Sequence, residues 1–343
     1  MNVVSEIWRP FRENSRRFYE VLPFHGEYPS LLESCEKSAF LIRCMSVCSM
    51  TCGALGHPGG TFSEAEILAV MYNYVLRHDP SDPEWDMRDV FYLSKCHACP
   101  ALYSALALFG YFPVGWLSTY GTWGSRLESH PDRTRTPGIE ISGGSLGQIP
   151  GAALGRAMAM SGKGPDHYGR MVYCLVGDGE CDEGSVWEAF LAAGHYGADN
   201  LVFIIDYNKV QAKGMVKDDM SLEPFADKLR SFNMDVLEIH NGHDVSELVS
   251  TFNMIRTNRH GRPHAVIVNT VKGEKVEVCR VNPNWHTSAP RSVRQAEEWL
   301  QELWDRDGRR LGVPHDFIDS LAGGIKVAGP LHEDADAARD SQA

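Results

Sequence analysis

The chain has 343 residues, is 43% hydrophobic and 23% charged, and carries a formal net charge of −12. That length suits one large α/β domain with extensions. The acidic balance argues against a nucleic-acid footprint, while a local basic pocket for phosphates is compatible with it. No apolar run approaches the length of about 18 residues that a membrane span needs, and no signal peptide is read at the N-terminus. A cytoplasmic protein with no membrane association is expected, its nine cysteines reduced.

Residues 1–33, rich in aromatic and charged side chains, are expected to wrap a neighbouring surface. Apolar periodicity then predicts helices at 34–52, 63–77, 98–109, 145–161, 184–196, 244–258 and 291–305. Strands are predicted at 89–93, 171–176, 201–206, 234–239 and 264–270. Ser63 with Glu66 reads as a capping box opening its helix, and Pro80 and Pro83 close the loop behind it. The alternation predicts an α/β fold, a doubly wound, mostly parallel sheet with helices on both faces. The main domain is expected over 34–290, followed by a helical segment over 291–322 and a polar, acidic tail over 323–343, expected to be disordered.

The most informative feature is Gly177-Asp178-Gly179, with Asn208 thirty positions after Asp178. Asp178 follows the apolar run MVYCLV and Asn208 follows LVFIID, so two buried strands end in oxygen ligands. Cys181 to Tyr196 reads as the helix between them, which places both ligands at the carboxyl edge of a parallel sheet. Magnesium takes such oxygens and shares its shell with a ligand's phosphates, while glycines let backbone N–H groups approach a diphosphate closely.

Further stretches accompany this unit in order: GHPGG (56–60), SKCHACPALYSAL (94–106), SHPD (129–132), PGIEISGGSLGQ (137–148), VKG (271–273) and WHTSAP (285–290). Together with GDGECDEG…DYN they resemble the transketolase family over roughly residues 35–290. The resemblance implies thiamine diphosphate and magnesium or another divalent cation as cofactors. It also implies transfer of a two-carbon ketol unit from a ketose phosphate to an aldose phosphate. The chain corresponds to only about half of a complete transketolase, the half that binds the diphosphate. A partner chain carrying the pyrimidine-binding domain is therefore expected, with two copies of each chain.

By the same resemblance, His57 lines the substrate channel near the thiazolium. Lys95 and His97 reach the diphosphate and the reacting centre, and His130, in a loop with Arg126, Arg133 and Arg135, contacts the donor hydroxyl beside its carbonyl. Gly144, Ser145 and Leu146, within GGSLG, lie along the aminopyrimidine instead of cradling phosphate. Gly177, Asp178, Gly179 and Asn208 hold the metal and diphosphate, with Val210 giving the metal its carbonyl. Lys272 and His286 reach the diphosphate and the substrate-facing side of the thiazolium. Glu183 has two readings: a carboxylate favoured by the helix dipole, or part of a carboxylate relay linking paired active sites. Imidazoles suit this chemistry, because they donate to a developing alkoxide and shuttle protons near neutral pH.

Cys44, Cys48 and Cys52, with Cys35 upstream, form a stripe on one helix face, too extended to converge on one ion and better read as packing. Cys96 and Cys99 bracket His97, and Cys96 stands where most members of the family have glycine. An alternative to the transketolase reading is a related transferase that passes its two-carbon unit to a lipoyl or carrier-protein thiol, like the first component of 2-oxo acid dehydrogenase complexes. A non-catalytic paralogue is a third. The set of histidines favours the first, since sugar hydroxyls call for several donors.

Overall fold

The structure, a computed structural model, describes residues 28–323 apart from 162–168, 213, 258 and 282. Runs of β-branched and aromatic residues form five strands: β1 (Val90–Leu93), β2 (Val172–Gly177), β3 (Leu201–Tyr207), β4 (Asp235–Ile239) and β5 (His264–Asn269). They pair in parallel in the order β1-β2-β3-β5-β4, and β4, at one edge, is the least covered. The main helices are α1 (Tyr28–Gly53), α2 (Pro58–Ser63), α3 (Ala65–Val70), α4 (Cys99–Leu108), α5 (Ile149–Met160), α6 (Gly184–Tyr196), α7 (Phe225–Ser231), α8 (Val245–Thr257), α9 (Val293–Leu303) and α10 (His315–Ala322).

Because successive strand side chains point to opposite faces, the sheet feeds two cores. Leu93, Leu175, Ile204 and Val266 join apolar residues of α1, α3, α4, α8, α9 and α10. Tyr92, Val176, Phe203 and Ile267 join those of α5, α6 and α7. Helices therefore cover both faces, as the continuous apolar strands require. Register brings Gly177 beside Asp206 and Tyr207 beside Asn269, so the loops carrying Asp178, Asn208 and Lys272 leave the carboxyl edge side by side.

Several local expectations change. The first helix starts at Tyr28 and so runs through the anticipated boundary at 33/34, while residues 1–27 of the expected wrapping segment lie outside the described residues. The helix expected over 63–77 is three pieces, α2, α3 and a π turn at Met71–Val75. Ser63 does not cap: its hydroxyl donates to Asp206 Oδ2 at 2.5 Å, and Glu66 is taken by the Arg43 guanidinium through two bonds of 2.6 Å. The helix predicted over 184–196 is α6, Gly184–Tyr196, and the start at Cys181 read between the two ligands is instead a 3₁₀ turn at Gly179–Asp182. Trp299 of α9 meets Phe62 and Trp285 edge-on, which ties the C-terminal helical segment to the core under α1. The expected tail from 324 onward is outside the described residues. The α1 cysteines pack as expected, all with free thiols, and burial pushes Cys48 up to about 12.

Candidate active site

Three loops at the carboxyl edge bring histidines together, with their rings edge-on or tilted to one another. His57 immediately precedes α2, whose first residue is Pro58; His97 sits in the 3₁₀ turn Cys96–Ala98 after β1; and His286 ends the turn Pro283–His286. Their ring centroids are 5.0 Å (His57–His97), 5.6 Å (His57–His286) and 5.5 Å (His97–His286) apart. Burial, reinforced by the positive charges around them, lowers His57 and His286 to about 4 and His97 well below its usual value. Each imidazole is thus neutral near pH 7, with one nitrogen to donate and one to accept. The Nδ1 atoms of His57 and His286 are buried without a protein partner, the arrangement expected where a polar ligand completes the bonding. His130 lies against Gly144, where an added Cβ would stand 3.5 Å from the ring. The basic loop around it is already engaged: Arg133 pairs with Glu84, Arg135 with Glu128, and Arg126 lies over the Trp116 ring.

Beside the histidines is the oxygen set. Asp178 follows β2 and is almost fully buried, its Oδ1 accepting from Gly179 N–H at 2.7 Å and its Oδ2 from Lys209 N–H at 2.5 Å. Burial, then the nearby Asp206 carboxylate, lifts it to about 7. Lys209 takes a left-handed φ of 69°, which folds the chain so that Val210 N–H donates to Asn208 Oδ1 at 3.2 Å. The Val210 carbonyl accepts from the Lys272 ammonium at 2.8 Å, and the Gln211 carbonyl from the same group at 2.7 Å. A buried carboxylate, an amide and a carbonyl that already holds a cationic group fit a hard divalent ion. Asp178, Asn208 and Val210 are the residues that would hold it.

Lys95 is held inside the fold. Its ammonium is buried and donates to Gly60 O at 2.9 Å and Asp206 Oδ2 at 2.5 Å, with Glu64 Oε2 also at 2.9 Å. Burial disfavours that charge, but Asp206 and Glu64 outweigh it and raise the pKa above that of a free lysine. Lys95 locks the loop bearing His97 onto α2, and Asp206, which also accepts from Ser63 and Thr270, is the hub of that lock. Burial lifts Glu64 to about 8 in spite of Lys95.

Glu180 is the residue whose role sequence reasoning missed. Its buried carboxylate accepts from Ser94 Oγ at 2.5 Å, Gly147 N–H at 2.9 Å and Gly177 N–H at 3.2 Å. One side chain thus joins the loops at 94–97, 143–148 and 177–179. An acid within GDGE was the available signal. Glu183, by contrast, is exposed and makes no side-chain cap bond, although Gly147 packs against its Cβ position and accepts from Ser185 Oγ through its carbonyl at 2.9 Å. Glu180→Gln would turn one of its two acceptor oxygens into a donor facing other donors. The expected outcome is a roughly tenfold loss of cofactor affinity by calorimetry, whereas Glu183→Gln leaves that affinity within about twofold.

Gly144, Ser145 and Leu146 form a partly exposed stretch between His130 and the start of α5. Cys96 settles the shape of the neighbouring loop: its buried thiol donates to Leu93 O at 3.2 Å and occupies the place that a Cβ on Gly143 would need, 2.6 Å away. Ile149 Cδ1, 2.7 Å from the same Cβ position, closes the other side, so only glycine fits at 143. Cys99 donates to Ser129 O, and burial pushes Cys96 up to about 12, so the pair is a packing element.

The family model described as "Transketolase, thiamine diphosphate binding domain" matches residues 35–326. Among curated proteins, one of the subunits of the apulose-4-phosphate transketolase of Actinobacillus succinogenes is 39% identical over 284 residues, covering 82% of this chain and 99% of that protein. The 6-deoxy-6-sulfo-D-fructose transketolase subunit SqwG of a Clostridium species is 43% identical over 220 residues, 64% of this chain and 78% of that one. Among solved structures, transketolase of Campylobacter jejuni superposes with a TM-score of 0.73 at 27% identity, covering 86% of this chain and 46% of that chain. The present chain spans less than half the length of that transketolase.

Proposed function

The chain belongs to the transketolase family, in the part that binds thiamine diphosphate, and from that premise we propose that it is the cofactor-binding subunit of a two-component transketolase. The observation that carries this reading is the convergence of His57, His97 and His286 beside the Asp178–Asn208–Val210 oxygen set. When bound, thiamine diphosphate supplies the carbanion chemistry. The chain's own residues then do the rest. Neutral imidazoles donate to the donor's carbonyl oxygen as charge develops there, and their second nitrogens take up hydroxyl protons. His130 holds the hydroxyl beside that carbonyl, and Glu183 takes part in a relay between paired sites. The donor is a ketose phosphate or a similarly anionic ketose, and the acceptor an aldose phosphate.

The partner supplies the pyrimidine-binding domain. This is supported by the Actinobacillus relative, which is named as one subunit of a transketolase and is covered by this chain almost end to end. Two copies of each chain fit the exposed Met158 of α5 and Leu191 and Tyr196 of α6, apolar groups on helices that pack together and suit a self-complementary contact. Among the described residues no helix is long and apolar enough to cross a membrane. A cytoplasmic location is part of the proposal.

His130→Ala tests the donor class. Turnover on a ketose phosphate or hydroxypyruvate should fall at least about tenfold more than turnover on pyruvate, since only hydroxylated donors offer His130 a partner. Equal losses on both donors would reduce His130 to a structural role and favour delivery to a carrier thiol, a reading that no observation in this chain supports.

A further inference from the structure

We propose that Lys272 is a resident cation of the metal site, which holds the Val210 carbonyl in the metal-free chain and must yield it when a divalent ion enters. The proposal rests on the reading of Asp178, Asn208 and Val210 as the ion's ligands. Lys272 is buried, with its ammonium 2.8 Å from Val210 O and 2.7 Å from Gln211 O. Of these, the Val210 carbonyl is the one assigned to the ion. An ammonium and a divalent cation cannot share one carbonyl oxygen without strong repulsion, so occupancy of that oxygen is exclusive.

The displacement is confined to the side chain, because the backbone on either side is tied down. Val271 N–H donates to His243 Nε2 at 2.9 Å, and His243 Nδ1 is bonded to Glu66, itself clamped by Arg43. Gly273 N–H donates to Gly59 O at 2.9 Å. The lysine stem crosses Gly59 so closely that a Cβ there would stand 2.8 Å from Lys272 Cε. Anchored at both ends, Lys272 can move only its ammonium. Once off Val210, that charge is free to meet a diphosphate, so ion and diphosphate binding are coupled through this one side chain.

The test uses the full chain with Mn²⁺ and inorganic pyrophosphate as probes, read by calorimetry and by Mn²⁺ electron paramagnetic resonance, with no turnover required. Lys272→Met should bind Mn²⁺ alone about three- to tenfold more tightly than the wild type, since a competing cation has been removed. It should also lose most of the mutual enhancement between Mn²⁺ and pyrophosphate. Lys272→Ala is measured in parallel in case the longer side chain impairs folding, with thermal melts as the folding check. Unchanged or weaker Mn²⁺ binding in folded Lys272 variants would overturn the proposal. Asp178→Ala separates the two readings: if it leaves Mn²⁺ affinity unchanged, the ligand assignment itself falls, and the proposal with it.

Discussion

Asp178→Ala is expected to weaken thiamine diphosphate binding in the assembled enzyme by at least about tenfold, about 1.4 kcal/mol. Two effects add. The substitution removes the charged ligand of the expected ion, leaving the diphosphate's negative charge less compensated. It also strips the acceptor from Gly179 N–H and Lys209 N–H, which loosens the turn that presents Asn208 and the Val210 carbonyl. Asn208→Ala should act in the same direction and less strongly, because a neutral ligand is lost. Calorimetric titration with and without magnesium checks both variants. Cofactor binding that proves independent of the metal would contradict the assignment.

Much of this architecture was legible in the sequence because the strands are buried on both faces and read as unbroken apolar runs, as in LVFIID before Asn208. Since Asp178 and Asn208 directly follow such runs, their position at the carboxyl edge followed from the fold class alone. The histidines were recognisable through their motifs, but not their meeting at 5.0–5.6 Å, which depends on three loops distant in sequence. Lys95 shows the limit most clearly. The letters SKCH do not reveal that the ammonium meets Asp206 of β3 and Glu64, the residue that follows α2. Glu180 and Glu183 are likewise both acids in one turn, and only the fold decides which meets three donors. A short element such as α7 holds too few turns for periodicity to show.

The second large effect concerns completeness of the site. In the proposed reading the partner's pyrimidine-binding domain supplies the acid that activates the aminopyrimidine, and a general acid–base contribution is worth about 10²–10⁴-fold. Two acids buried near this cleft are unsuited to that task. Glu180 is consumed by three donors, and Glu64 is fully buried against Lys95. Activity should therefore be at least about a hundredfold lower without the partner chain than with it.

The decisive measurement is two-carbon transfer from a ketose phosphate to an aldose phosphate, assayed with magnesium and thiamine diphosphate for this chain alone, for the partner chain alone and for mixtures of the two. The account predicts turnover by either chain alone at least about a hundredfold below that of the mixture, and turnover on mixing that rises until the chains are equimolar. Robust turnover by this chain alone would contradict it.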